Sequence, residues 1–284
     1  MIVGVSISES PDLLRFGVSD LHLHDAMSEL ARYLLATGYR LAYGGDLRPS
    51  GFTYNLKSFA EMYAGASTKP PILNFLACYV WKSFPAADLA ELSTVGQLEC
   101  LPEPAEAQAT PRPSESYLRS RSLTEMRQAM NQAIGARVLL GGRTTEFSGR
   151  MPGLVEEAWL AVEASKPLYL LGAFGGCTGE VIRAIQGERP EMFSTEFQAA
   201  QTAGHTALLQ EYDARLGAGE GTSSLTRALE SFQKLGVAGL TRLNGLSEEE
   251  NLLLFSSREP PVPDMAAALV LQGLQQVRER KPRA

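Results

Sequence analysis

Short apolar segments alternate with segments of helical periodicity over the first 186 residues, and this order constrains the fold most. Strands are predicted near residues 2–7, 40–43, 71–76, 137–142 and 167–171. Between the first two strands, Leu21, Ala26, Leu30 and Leu34 recur at helical spacing, and Gly38 follows as a helix stop. Strands separated by helices join as right-handed βαβ units. The sequence therefore predicts an α/β fold with an open parallel sheet and helices on both faces.

The chain is predicted to change character near residue 186. Residues 1–186 carry the strand–helix pattern, interrupted at 99–117 by a Pro-rich surface excursion that forms neither a regular helix nor an inner strand. Residues 187–284 are predicted to be a mainly helical extension, packed on the same domain or at an oligomer interface. Ser247 and Glu250 form a capping-box pattern there, and the single candidate strand lies near residues 252–255.

Charge balance and cysteine content exclude several classes of protein. The net charge of −6 lacks the basic footprint of a nucleic-acid binder, and no apolar run reaches the length of a membrane span. The N-terminus has no basic region of a secretory signal. Three scattered cysteines do not build a disulfide framework, and three histidines without a CxxC pair do not indicate zinc. We therefore expect a cytoplasmic protein without a metal, nucleic-acid or membrane partner.

Glycines follow three of the predicted strands, at residues 44–45, 141–142 and 172–176. In an open parallel sheet, ligands bind beyond the carboxyl ends of the strands. Glycines at that edge allow close approach to the backbone, and the N–H groups of the following helices attract phosphate. The three clusters together predict a phosphate or nucleotide site, while plain turn formation is the alternative for each cluster taken alone.

Polar side chains accompany these turns. Forked guanidinium donors for phosphate are offered by Arg48, Arg143 and Arg150. Alternatively, these arginines form salt bridges to Glu146, Glu156 or Asp46. Glu156 and Glu157 bind ribose hydroxyls or act as general bases, or they only complement the helix dipole. The Ser8–Glu9–Ser10 run binds ligand or caps a helix. The predicted ligand-binding residues are Ser8, Glu9, Ser10, Gly44, Gly45, Asp46, Arg48, Gly51, Phe52, Thr53, Gly141, Gly142, Arg143, Arg150, Met151, Pro152, Gly153, Glu156, Gly172, Phe174, Gly175, Gly176 and Cys177.

Four other side chains have a functional and a structural interpretation. Phe174 either stacks on a base or packs in the core. Cys177 lies at a predicted helix N-terminus, where the pKa of a thiol can fall, but no histidine nearby marks it as a nucleophile. His22 and His24 face different sides of a helix, which does not indicate a metal site.

The chain resembles the SLOG superfamily, which includes Lonely Guy phosphoribohydrolases and DNA-processing proteins. The resemblance spans roughly residues 1–186 and rests on residues 41–45, 51–52, 140–142 and 172–176. Its most specific part is the stretch 143–157, centred on Gly149-Arg150-Met151-Pro152-Gly153. The most similar members are prokaryotic nucleotide-sensor domains that accompany TIR, Sir2 or nucleoside-phosphorylase effectors in conflict systems. The resemblance implies a Rossmann-like fold, a nucleotide-derived ligand and a homo-oligomer.

Lonely Guy enzymes carry a Pro-Gly-Gly-x-Gly-Thr-x-x-Glu motif, from which this chain departs. Aligned on residues 171–180, Leu171 replaces the proline and Gly176 the threonine. Gly179 takes the place of the catalytic glutamate, and Glu180 follows one residue later. One residue corresponds to about 100° of rotation on a helix. This alignment therefore implies that the chain binds the ligand but carries its glutamate one residue away from the position of the catalytic acid.

Two functions remain open, besides a scaffold with a vestigial pocket. The favoured one is a sensor for an ADP-ribose-type or cyclic nucleotide signal in an anti-phage system. It would require no cofactor. It would act with a separate effector of TIR, Sir2 or nuclease type, or would itself be a ligand-sequestering or regulatory protein. The alternative is an N-glycoside hydrolase acting on a nucleoside monophosphate or NAD-like substrate, with Glu156, Glu157 or Glu180 as the catalytic carboxylate.

Overall fold

The computed structural model describes residues 1–45, 51–63, 69–94 and 96–280. Six parallel strands form one sheet in the order β4-β3-β2-β1-β5-β6. The strands are β1 (Ile2–Ser8), β2 (Arg40–Gly44), β3 (Ile72–Leu76), β4 (Gln97–Cys100), β5 (Ala136–Gly141) and β6 (Leu168–Leu171). In the register, Val5 of β1 lies beside Tyr43 of β2 and Val138 of β5. The predicted Rossmann-like α/β fold is confirmed.

Twelve helices in the described ranges connect and cover these strands. They are α1 (Asp20–Ala36), α2 (Phe52–Tyr63), α3 (Cys78–Trp81), α4 (Ala86–Ser93), α5 (Glu115–Ala133), α6 (Gly153–Glu163), α7 (Gly176–Ile185), α8 (Thr195–Gln201), α9 (His205–Leu216), α10 (Ser224–Asn244), α11 (Glu248–Phe255) and α12 (Pro263–Arg280). α10 is interrupted at Gly236, whose φ of 57° lies in the left-handed region that glycine adopts readily. No helix in this described part is both long and apolar enough to cross a bilayer.

The two faces of β1 differ in character. Val3, Val5 and Ile7 join the core under α1 and α12. Since side chains alternate along a strand, Gly4 and Ser6 point to the opposite face. A Cβ at Gly4 would lie 2.7 Å from Ile134, at the end of α5, so glycine permits the close packing of this helix. The small residues of β1 thus leave room for α5 and α6 and for polar side chains between them and the sheet.

Two local predictions are wrong, and one strand was missed. Residues 252–255 belong to α11 rather than to a strand, because the Ser247–Glu250 capping box, which is confirmed, starts a helix that continues through them. α5 begins at Glu115, seven residues before the predicted start at Ser122, because the Ser114 side chain accepts from the Tyr117 N–H at 3.1 Å and caps the helix. The edge strand β4 was not predicted, since its Gln-Leu-Glu-Cys sequence has little β character.

Candidate functional site

A cleft of about 270 Å³ opens at the carboxyl ends of β1, β2 and β5. β1 lies between β2 and β5, so the chain leaves β1 toward one side of the sheet and later returns to its other side. Such a reversal leaves a crevice between the diverging connections, and ligands of open α/β sheets bind there. The cleft is therefore where the topology predicts a ligand.

Some of the predicted site residues line this cleft and others lie elsewhere. The predicted residues in the lining are Ser8, Gly44, Gly45, Arg143, Gly153 and Glu157. Lining residues that were not predicted include Ser6, Tyr79, Arg127, Glu146, Phe147 and Ser148. The cleft thus joins the ends of β1 and β2 to the β5–α6 loop and to one face of α5.

The rim of the cleft is formed by the end of β1 and the start of the β5–α6 loop. The Arg143 N–H donates to Ser8 Oγ at 3.3 Å. The Arg143 guanidinium pairs with Glu9, with Nε 2.8 Å from Oε2, and both side chains are about half exposed. The arginine is therefore bound in a salt bridge at the surface and can be released to a ligand at small cost.

Glu156 lies at the centre of a buried charge cluster, which consists of Arg127, Arg137, Arg150, Glu156 and Glu157. Its carboxylate accepts from Thr124 Oγ1 at 2.9 Å, Arg127 Nη1 at 2.7 Å and Arg150 Nε at 3.1 Å. Burial alone would raise the pKa of Glu156, but the guanidinium groups of Arg150 and Arg127 hold it below its usual range. The side chain is wholly buried. Glu156 and Arg150 therefore hold Arg127 and each other in place beneath the cleft and do not contact a ligand in it.

Glu157, the next residue, faces the cleft. Its carboxylate accepts hydrogen bonds from Ser6 Oγ and from the Arg137 guanidinium. Arg137 also donates to Ser6 Oγ at 2.7 Å, and Arg127 Nε lies 3.6 Å from the Glu157 carboxylate. Arg137 is fully buried on β5, and burial lowers the pKa of its guanidinium. Of the two carboxylates in the charge cluster, Glu157 is therefore the one that a ligand in the cleft can reach.

The N-terminus of α6 borders this cleft, because its first two residues, Gly153 and Leu154, line it. Pro152 precedes the helix and no side chain caps it, so the N–H groups of its first turn have no side-chain acceptor. Gly153, the first helical residue, lies against Arg127, because a Cβ there would be 2.6 Å from Nη2. A helix N-terminus and a guanidinium thus meet at one wall of the cleft, an arrangement suited to an anion.

The third glycine cluster has a packing role. The Asp12 carboxylate accepts from the Gly176 N–H at 2.8 Å and occupies the N-terminus of α7. A Cβ at Gly176 would collide with the carbonyl oxygen of Gly142, and one at Gly175 would lie 2.5 Å from Phe16. Gly172 similarly faces the carbonyl oxygen of Phe255. These glycines allow α7 to pack on the turn at Gly141 and Gly142, and allow the turn before α7 to pack against α11. At the N-terminus of α7, where a phosphate was predicted, the Asp12 carboxylate takes the hydrogen bond from Gly176.

Four other predicted residues are buried away from a ligand. Met151 and Pro152 lie in the core, and Phe174 packs beneath α1 and α12. Cys177 Sγ donates to the Arg143 carbonyl at 2.8 Å, and burial raises the pKa of this thiol well above its ordinary value. The expectation of a lowered thiol pKa is therefore corrected, since desolvation outweighs the helix N-terminus. Cys177 instead fixes the β5–α6 loop.

The remaining predicted residues fall in three places. Gly51, Phe52 and Thr53 are buried at the start of α2, where Phe52 stacks on His24 at 4.3 Å between ring centroids. Asp46 and Arg48 lie outside the described residues. Ser10 Oγ accepts from the Asp12 N–H at 3.2 Å, next to α7.

Glu180, the third candidate catalytic carboxylate, is on α7 and is not in the cleft lining. It pairs with Arg183 at 3.0 Å, and partial burial raises its pKa. The structure therefore does not bring Glu180 together with Glu157. Within the described ranges, no group of three or more metal-ligating side chains is found.

Two sequence signals mark the residues that were missed. On α5, polar residues occupy the positions three or four apart that usually hold an apolar stripe. The four residues at these positions are buried: Ser120, Thr124, Arg127 and Asn131. Arg137 interrupts the apolar sequence of a central strand, where a charge is rarely placed without a buried partner. Tyr79 and Phe147 have no comparable signal, because a single aromatic residue in a loop or short helix is common.

Replacing Asp12 by alanine is expected to destabilise the protein by about 1 kcal/mol, since it removes the acceptor at the N-terminus of α7. Affinity for a ligand in the cleft should not change, because Asp12 does not line the cleft. Chemical denaturation and equilibrium binding measure the two effects. Asp25→Ala, an exposed site inside α1, is the matched control. A gain in nucleotide affinity on Asp12→Ala would contradict this assignment, because it would mean that Asp12 competes with a ligand phosphate.

Comparisons with known proteins cover most of the chain. The profile of a family described as SLOG cluster2 matches residues 1–254. Among solved structures, the one titled the X-ray structure of TM1055, a Northeast Structural Genomics Consortium target, is 18% identical, and the match covers 68% of this chain and 84% of that chain with a TM-score of 0.38. The search of curated proteins gives no match.

Proposed function

The chain belongs to the SLOG family, in the group described as cluster2, and we propose that its cleft binds a nucleotide-derived ligand through a phosphate at the N-terminus of α6. Membership of this family indicates nucleotide-related binding or processing. The observation that carries the proposal is the excess of positive charge beneath the cleft.

This excess follows from the ion pairs of the cluster. Three guanidinium groups, of Arg127, Arg137 and Arg150, surround the two carboxylates Glu156 and Glu157, which leaves one positive charge uncompensated. The next pair outward, Glu220 and Arg227, is neutral and does not change the excess. Glu146 also lines the cleft, but it is exposed, so solvent screens its charge more than that of the buried guanidinium groups. A buried positive charge beside a cleft attracts an anion, because the low dielectric strengthens the field there. A phosphate at α6 would supply that anion.

The other groups of the cleft suit the remainder of a nucleotide. Glu157 and Ser8 present oxygen atoms that accept hydrogen bonds from ribose hydroxyls. Tyr79 and Phe147 present rings on which a base can stack. The released Arg143 guanidinium would supply a second contact to phosphate at the rim.

The finer part of the proposal concerns the use of the ligand. We propose that it is a signal of ADP-ribose or cyclic nucleotide type, made during phage infection and passed to a separate effector. The resemblance to sensor domains supports this, as does the position of Glu180 outside the cleft. Nucleotides that co-purify with the chain from infected and uninfected cells, identified by mass spectrometry, test it. Equal recovery from both sources would contradict an infection signal.

The alternative, an N-glycoside hydrolase, is favoured by one observation, the Glu157 carboxylate in the cleft lining. That carboxylate could stabilise positive charge developing on a ribosyl group as the glycosidic bond breaks. Incubation with NAD, ADP-ribose and nucleoside monophosphates separates the two functions. Recovery of intact nucleotide supports binding without turnover, whereas release of a free base supports the hydrolase.

Gly153→Ala is expected to lower nucleotide affinity by roughly tenfold or more, about the contribution of one charge-assisted hydrogen bond. The new Cβ would lie 2.6 Å from Arg127 Nη2, so the guanidinium must leave the wall of the cleft. Isothermal titration with the co-purifying nucleotide, or with AMP and GMP, measures the loss.

Gly179→Ala is the matched control, since it makes the same change in α7, where a Cβ meets nothing within 4 Å. It should bind nucleotide as the unaltered protein does. Equal affinity of both variants and the unaltered protein would place the phosphate somewhere other than α6. Absence of any nucleotide binding would overturn the proposed function itself.

A further inference from the structure

A second cavity, of about 340 Å³, adjoins the cleft. Its walls are the first turns of α5 and the junction of α8 and α9, with Arg119 and His205 in the lining. Phe147 and Ser148 line both spaces and separate them. Small-molecule sites commonly span about 300 to 1,000 Å³. The cleft alone lies just below this range, whereas the two adjoining spaces together fall within it.

Arg119 lies at the boundary between the two spaces. Its guanidinium carbon is 5.1 Å from the ring centroid of Tyr79, which lines the cleft. Arg119 itself is exposed and lines the second cavity. Within the described residues it makes no ion pair and no hydrogen bond, whereas Arg121 on the same helix is paired with Glu106 and Glu125. The guanidinium of Arg119 is thus held by an aromatic ring while its donors remain open to an anion.

The wall between the spaces is aromatic and held in place. Phe147 packs edge-to-face on His205, with 5.3 Å between the ring centroids. His205 Nε2 lies 3.0 Å from the Arg150 carbonyl oxygen, which ties this wall to the charge cluster. Glu146, immediately before Phe147, has a φ of 53°, a left-handed conformation that non-glycine residues adopt mainly where the surroundings require it. The loop therefore presents the Phe147 ring in a defined position.

We infer that the ligand extends past Phe147 into the second cavity and is a two-part nucleotide, two ribosyl groups joined through phosphates, with Arg119 on the joining phosphates. The first nucleotide lies in the cleft with a phosphate at α6. The bridge passes Tyr79 and Arg119, and the second part lies beside Phe147 and Ser148. This inference rests on the proposed function, because it extends the same site.

Isothermal titration of the full chain tests it with single nucleotides and two-part nucleotides. AMP and GMP are the single probes, and ADP-ribose, NAD and diguanosine diphosphate are the two-part probes. A two-part probe should bind at least about tenfold more tightly than the matching single nucleotide, the contribution of an added charge-assisted contact. Arg119→Ala should remove that advantage and leave AMP or GMP affinity within about twofold.

Arg112→Ala is the matched control, since Arg112 is an exposed arginine just before α5 and lines neither space. Phe147→Ala should weaken single nucleotides, whose base stacks on this ring, and should weaken two-part probes more, because their second part loses the same wall. Phe147→Tyr, which keeps the ring, should restore the affinity for both kinds of probe. Single nucleotides that bind as tightly as every two-part probe would overturn the inference and leave the proposed function intact. An equal loss for both kinds of probe in Arg119→Ala would do the same. Failure of every probe to bind would overturn both.

Discussion

Glutamine in place of Glu156 is expected to lower the free energy of unfolding by about 3–5 kcal/mol, the usual cost of removing one partner from a buried ion pair. The substitution keeps the size of the side chain and its bond from Thr124. It leaves Arg127 and Arg150 facing a neutral amide, so the excess of positive charge beneath the cleft rises from one to two. Natural domains are stable by only about 5–15 kcal/mol, so this loss is large.

The dependence of stability on pH gives an independent measure of the same effect. The folded-state pKa of Glu156 is lower than its usual value, so the unfolded chain binds a proton more readily than the folded one. The contribution of Glu156 is fully present above the ordinary carboxylate pKa of about 4.3 and is lost as pH falls below it. Denaturation midpoints measured from pH 7 down to pH 3 should therefore fall less steeply in Glu156→Gln than in the unaltered protein.

Glu163→Gln is the matched control, because Glu163 ends the same helix and is exposed. Its substitution should change stability by less than about 0.5 kcal/mol. A loss below about 1 kcal/mol in Glu156→Gln, or an unchanged acid slope, would mean that the buried cluster tolerates a second unpaired guanidinium.

The sheet was predictable from sequence because five of its six strands carry a signal of their own. β1, β2, β3, β5 and the edge strand β6 are short, mainly β-branched or apolar runs, and the helices between them have clear periodicity. The other edge strand, β4, was missed because its Gln-Leu-Glu-Cys sequence lacks such a run and its place in the sheet depends on pairing with β3. The start of α5 was hidden by prolines, although Ser114 is an ordinary N-cap.

The site was predicted less well, and the glycine clusters explain why. Glycine at a strand end allows a ligand to approach the backbone, but it equally allows another turn to approach. At Gly44 and Gly45 the space beside the backbone is shared between the cleft and the side chains of Met126 and Thr53. At Gly176 it is filled by the turn at Gly142. The sequence pattern is the same in both places, and only the order of the strands decides between them, because the cleft forms where β1 lies between β2 and β5.

The buried charges were misjudged for a related reason. Arg150 and Glu156 were predicted as ligand contacts, and the alternative, a salt bridge between them, is what the structure contains. Glu156 and Glu157 differ by one position on α6, about 100° of rotation, which turns one into the core and the other to the cleft. A sequence shows which residues are charged, but their burial depends on how α5 crosses α6.

Methionine in place of Arg137 is expected to weaken nucleotide binding by about 100-fold, the effect of removing one partner from a hydrogen-bonded buried charge pair near a ligand. Arg137 does not contact the cleft and acts through its neighbours. It holds the Glu157 carboxylate together with Ser6, and it supplies the excess positive charge beneath the cleft. Its removal both releases Glu157 and makes the cluster neutral, so the attraction for phosphate falls.

The same substitution should cost less stability than Glu156→Gln, under about 2 kcal/mol. Nε and Nη2 of Arg137 have no hydrogen-bond partner among the described residues, and burial lowers the pKa of the guanidinium, so the charge is already costly where it lies. Glu157 would keep Ser6 as a donor and Arg127 as a counter-ion. Methionine fills a similar volume without requiring a partner.

The two substitutions in one cluster therefore separate folding from binding. Glu156→Gln adds a net positive charge and should mainly unfold the protein, whereas Arg137→Met removes one and should mainly abolish binding. Arg40→Met is the control for the second variant, since Arg40 begins β2 at the end of the sheet opposite the cleft. Chemical denaturation measures the stability of all three variants, and isothermal titration measures their nucleotide affinity. If Arg137→Met unfolds as readily as Glu156→Gln while still binding nucleotide with unaltered affinity, the excess charge stabilises the fold and has no part in ligand recognition.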